Sequence, residues 1–141
     1  MLTLPHHVGL RTDSDGHPAV EVVFDMTAAQ AGAAAHAVRV VRDERYRTGE
    51  LSTDDVLSMR EMTSLADELG ALHAVDASDR IHASVARVGM LRSALDEFAA
   101  GEHLEREGDA DARPVVFSLV DAIADLHAEA IHAALGGDDR E

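Results

Sequence analysis

The apolar residues of this chain are plentiful but small, and that limits what its core can be. Hydrophobic residues make up 46% of the 141, yet much of that share is alanine, and the aromatics are only Phe24, Tyr46, Phe98 and Phe117. A core with so few large rings must be closed by bringing backbones near one another, which alanine-faced helices do. At this length the chain fits one domain, able to bury roughly two thirds of the surface it exposes when unfolded. The expectation is a mostly helical α+β domain over residues 1–137, with 138–141 as a mobile tail.

The punctuation of the chain sets the order of its elements. Val8 to Thr12 leads into Asp13-Ser14-Asp15-Gly16, a strong turn signal, and Ala19 to Asp25 alternates Val20, Val22 and Phe24 with other residues, so the start reads as a β-hairpin. Thr27 and Gln30 form a capping-box pattern that opens a first helix, running to about Arg47 with Ala31, Ala35, Val38 and Val41 on one stripe. A second helix begins at Ser52 to Asp55, with Val56, Met59, Met62, Leu65, Leu69 and Leu72 as its stripe, and ends or bends at Gly70. Arg80 to Val85 reads as a short strand with Ile81, Ala83 and Val85 on one face. A third helix follows from Arg87 to Ala100, stopped by Gly101. Residues 102–113 are polar and charged and read as a solvated loop. Pro114 then suits the first position of a fourth helix, whose stripe is Val116, Leu119, Val120, Ile123, Ala130, Ile131 and Ala134.

The two halves echo one another. Leu65-Ala66-Asp67 matches Ile123-Ala124-Asp125 at a spacing of 58, and Met59 and Met62 then fall against Phe117 and Val120. This is the pattern of two strand–helix–helix units, although a helical stripe creates some of these matches by itself.

Charge narrows the function classes. Twelve arginines with no lysine stand against 27 acids, for a formal charge of −15. Duplex DNA is bound by neutralising phosphates, so nucleic acid is not expected as a partner. A helix-turn-helix reading of the first two helices fails for the same reason, because the would-be recognition helix carries Asp54, Asp55, Glu61, Asp67 and Glu68 against one Arg60. There is no cysteine, which removes thiol chemistry and disulfides. No apolar stretch approaches the ~18 residues of a membrane span, and the first residues lack a secretory pattern, so no membrane association and a cytoplasmic location are expected.

Three groups of residues are candidates for a site. Arg39, Arg42, Arg45 and Arg47 lie within nine residues of the first helix and could grip an anion, since each guanidinium offers a planar fork of donors. Equally, cations near a helix C-terminus suit the macrodipole and can pair with nearby acids. Asp121, Asp125 and Glu129 repeat every four residues on the fourth helix, with His132 beyond them. Asp125, Glu129 and His132 are the metal candidates, for Glu-x-x-His is a spacing used in di-iron helical bundles, but a second such pair is missing and the row lies on the polar side. The nine histidines, among them His6, His7, His73 and His127, form no familiar metal motif. Nucleophile elbows, Walker loops and dinucleotide fingerprints are also missing, so no enzyme class and no cofactor are expected.

The residues therefore point to a non-catalytic interaction or regulatory module. A homodimer is expected, from the long apolar stripes, the open edges of a short sheet, and adaptable methionines at 59 and 62. Two other readings compete with it. In one, the acidity imitates nucleic acid and occupies a basic protein, its bland rival being salt adaptation or genome bias. In the other, histidines and carboxylates between helices hold a small ligand or a metal.

Overall fold

The computed structural model describes residues 6–12, 15–16, 18–48, 53–74, 79–101 and 109–135; the tail expected at 138–141 lies outside them. The elements are β1 (His6–Thr12), β2 (Pro18–Met26), α1 (Ala28–Thr48), α2 (Thr53–Ala74), β3 (Asp79–Ser84), α3 (Val85–Ala100) and α4 (Asp109–Ala134). This is the mostly helical α+β arrangement expected from the sequence. The strands form one antiparallel sheet in the order β1-β2-β3. At the hairpin, Gly16 has φ of +83°, a left-handed conformation that glycine adopts at little steric cost. Alternation sends Val22, Phe24 and Met26 of β2 and Ile81 and Ala83 of β3 into the core, while Arg80 and His82 are exposed on the other face.

Helix α1 is the centre of the molecule. Ala31, Ala33, Ala34, Ala35, Ala37, Val38, Val40 and Val41 are all buried, so the helix is apolar almost all round rather than along the single stripe expected. It is flanked by α2, α3 and α4, and a helix that is apolar on most sides belongs inside. Two helical hairpins, α1–α2 and α3–α4, pack through it, and α3 and α4 also carry the sheet. Phe24 and Phe98 are the largest buried side chains.

The helix ends follow local chemistry. Thr27 Oγ1 accepts from the amide of Gln30 at 3.1 Å, and the Thr27 amide donates to Gln30 Oε1 at 2.9 Å, closing the capping box. Ser84 caps α3 by accepting from the amide of Arg87 at 3.2 Å, which ends β3 one residue before the expected Val85. The amide of Gly101 donates to Glu97 at the far end of α3.

Several expectations are corrected. Helix α2 runs through Gly70 to Ala74 without ending there. Helix α4 starts at Asp109, five residues before Pro114, so the later part of the expected loop is helical and Pro114 lies inside the helix. Asp109 and Asp111 in the first turn suit the positive end of the helix dipole, and Pro114 so near that end forfeits a single hydrogen bond. Met62 is fully buried and belongs to the core, so it is not a contact for a second copy. Ile131 and Ala134 are exposed, so the outer end of the stripe expected on α4 faces away from the core.

Some positions of like burial or capping role stand 57 residues apart. Thr27 and Ser84 cap helices, while Met62, Leu65, Ala66 and Leu69 of α2 correspond to Leu119, Ala122, Ile123 and Leu126 of α4, all buried. Phe24 and Ile81 are direct cross-strand partners, with Val22 opposite Ala83 and Met26 opposite Asp79.

The capping box gives a direct test of how α1 is started. Thr27→Ala should lower unfolding free energy by about 1 kcal/mol with an unchanged denaturant slope in urea, and Thr27→Ser should keep most of the stability.

Candidate functional site

The arginines of α1 lie along its seams with other helices. Arg39 Nη2 donates to the Ala66 carbonyl at 3.2 Å and stands 3.6 Å from Asp67. It crosses α2 at Gly70, where a Cβ would sit 2.8 Å from that nitrogen. Arg42 donates to Thr63 Oγ1 at 3.1 Å and pairs with Asp43, while Arg45 pairs with Glu97 of α3 and reaches Met62 Sδ at 3.8 Å. Each of the three thus has a carboxylate beside it. Arg47 is in the last turn of α1, and its side chain lies outside the described residues.

Asp109 is the buried charged residue among those described, at 1% exposure. Its Oδ1 is hydrogen-bonded to Nε2 of His36, whose ring stands edge-on to Phe98 with centroids 5.9 Å apart. A buried carboxylate is costly unless it is hydrogen-bonded or paired, and His36 meets that need while tying the start of α4 to the middle of α1. The sequence reading missed this pair. Asp109 sits in an acidic run and His36 among alanines, so neither stands out until the helices are assembled.

His127 lies between α3 and α4. Its ring abuts Gly89, where a Cβ would come within 2.8 Å of Nε2, and Arg92 Nη1 stands 3.3 Å from Nδ1. Burial, and secondarily the Arg92 charge, hold its pKa below the ordinary 6.5. The imidazole is therefore neutral at neutral pH, and Nδ1 can accept from Arg92.

The outer face of α4 is of a different kind. Asp121, Asp125, Glu129 and His132 are all exposed there, with His6 of β1 bonded to Glu129 at 2.9 Å. Among the described residues no group of three or more histidines and carboxylates is placed to hold a metal ion. Beside the acidic row runs an apolar line of Phe117, Ala124, Ala128, Ile131 and Leu135, with Phe117 51%, Ile131 38% and Leu135 81% exposed. The guanidinium of Arg113 stands 5.1 Å from the centre of the Phe117 ring. Elsewhere the arginines neutralise acids, as in Arg39–Asp67, Arg80–Asp25, Arg87–Glu68 and Arg92–Asp96. Asp111, Asp121 and Asp125 have no cationic partner among the described residues.

Two open depressions lie by the sheet. One, of about 490 Å³, is lined by Glu21, Glu61, His82, Ser84 and Arg87 among others; the second, of about 380 Å³, by His6, His7, Val23, Asp25, Arg80 and His82. In the first, Ser84 is engaged as a helix cap and Arg87 donates to Ser64 at 2.7 Å and pairs with Glu68 at 3.0 Å. In the second, Arg80 lies 3.5 Å from Asp25. Among the described residues of these linings, no hydroxyl is hydrogen-bonded to a histidine or carboxylate.

The two histidine contacts make separate predictions. His36→Ala removes a hydrogen-bond partner from a buried carboxylate and should lower stability by roughly 1–3 kcal/mol in urea. For His127 the fold favours the neutral ring, so its contribution is complete above pH 6.5 and is lost as pH falls below that. Wild type should therefore lose more stability than His127→Gln between about pH 7 and pH 5; parallel curves would contradict the assignment. No protein-family model, no curated protein and no solved structure matches this chain.

Proposed function

We propose that this protein is a non-catalytic interaction module that docks a partner protein on the outer face of α4. The observation that carries the reading is the line of Phe117, Ile131 and Leu135, exposed on a helix whose opposite side is core. Exposed bulky apolar residues joined by small ones on one helical face are a common form of contact surface. The alanines at 124 and 128 let another backbone come near, and the larger side chains at either end can act as anchors.

The homodimer is a rival occupant of the same face. Antiparallel packing of α4 on its copy would set the two rows of Asp121, Asp125 and Glu129 side by side, with a charge of −15 on each chain. Like charges brought together in this way oppose association, so the reading favours a different protein. Imitation of nucleic acid also has one supporting feature. The carboxylates of that row rise about 6 Å per step along the helix axis, although most acids on the other helices are interleaved with arginines.

Site-specific photo-crosslinking in the producing cells tests the reading. A benzophenone side chain at position 117 or 131 should give a discrete adduct, and the same group at the exposed Arg60 of α2 should not. An adduct at twice the 15.0 kDa chain mass would identify a second copy as the occupant. Adducts at none of these positions, or equally at position 60, would remove α4 as the working surface.

A further inference from the structure

We infer that the partner element seated on α4 is a basic amphipathic helix of another protein; this rests on the docking reading above and adds the chemistry of the occupant. The geometry of the face selects a helix. Phe117, Ala124, Ala128, Ile131 and Leu135 are spaced by seven, four, three and four residues, the sequence of steps that keeps a seam facing a second helix. From Phe117 to Leu135 the seam is about 27 Å long, so it accommodates a helix of about five turns. An added β-strand has a different requirement, a row of open backbone donors and acceptors, which a helix does not present.

Charge selects a basic flank. The acidic row borders the seam along one side, and in it Asp121 and Asp125 lack a cationic partner among the described residues, as does Asp111 in the first turn. Among the described residues Glu129 pairs with His6, whose side chain is 27% exposed and charged only when protonated. Arginines stand beside Asp43 of α1, Asp67 and Glu68 of α2 and Asp96 and Glu97 of α3, whereas on α4 the described arginine, Arg113, is directed at the Gly101 carbonyl and the Phe117 ring. A helix carrying lysine or arginine along the flank of its apolar stripe would supply the missing cations while burying Phe117, Ile131 and Leu135. A second copy brings another acidic row, and nucleic acids and anionic membranes bring phosphates; the same field repels them all.

Fluorescence anisotropy with the full-length protein and three synthetic peptides of about 20 residues tests this. The first has leucines at heptad seam positions and lysine and arginine on the flanks; the second has the same composition with the leucines scrambled; the third replaces the cations by glutamate. The first should bind at least about tenfold more tightly than either of the others. Its affinity should fall about five- to tenfold in the double substitution Asp121→Asn with Asp125→Asn, with a weaker salt dependence. Leu135→Asp should reduce it too while the circular dichroism spectrum is unchanged. Equal binding of the scrambled peptide would mean that acidity alone attracts, the behaviour of a nucleic-acid mimic, and would overturn the helix. Equal binding of the glutamate peptide, or no binding of any, would overturn the basic partner. A crosslink at position 117 or 131 combined with either result would leave α4 as the docking face and discard only the proposed chemistry of its occupant.

Discussion

Everything in this fold depends on how near other helices can come to α1. Its buried positions are alanines and valines, so α2, α3 and α4 can each approach a backbone that keeps them at short range. Dispersion between many small contacts then replaces the volume that aromatic rings supply in other cores. The cost is tolerance: a methyl group added at Ala31, Ala34 or Ala37, each fully buried, has no space to enter. The long side chains of α1 leave at the margins of this contact. Arg39, Arg42, Arg45 and His36 all emerge there and bind the neighbouring helices to the centre.

This use of the cations shapes the surface. Twelve arginines cannot balance 27 acids, and a fold that uses its described arginines largely between α1, α2 and α3 leaves the deficit concentrated elsewhere. Helix α4 is where it becomes visible, next to apolar residues that the core has no room for. The juxtaposition follows from a helix with two apolar lines, one turned inward through Val116, Leu119, Ile123 and Leu126 and one turned outward through Phe117 and Leu135.

Features legible in the sequence were those governed by a few neighbouring residues. The capping box at Thr27 and Gln30, the hairpin turn ending at Gly16, the alternation in β2 and the stop at Gly101 depend on local hydrogen bonds and backbone preferences. What escaped depended on assembly. Gly70 costs an isolated helix about 1 kcal/mol, yet α2 continues through it, and Arg39 lies across the space a Cβ would take. Ile131 reads with the core stripe, yet it stands seven residues from Ala124 and fourteen from Phe117, on the helical face turned away from the buried positions. The candidate site divides in the same way: the acidic row of α4 was readable from spacing, whereas its apolar neighbour and the His36–Asp109 pair needed the packed structure.

The Phe24–Ile81 partnership also has a kinetic meaning. The helical hairpins join residues near in sequence, but β2 and β3 cannot meet until a segment of more than fifty residues has closed between them. For a flexible chain such a closure opposes pairing by about 3.5 kcal/mol. That entropy falls sharply once α1 and α2 have folded against each other and drawn Met26 and Asp79 together. The β2–β3 pairing therefore carries the largest loop-closure cost in the sheet, and the α1–α2 hairpin, which lies between the two strands, is the element that lowers it.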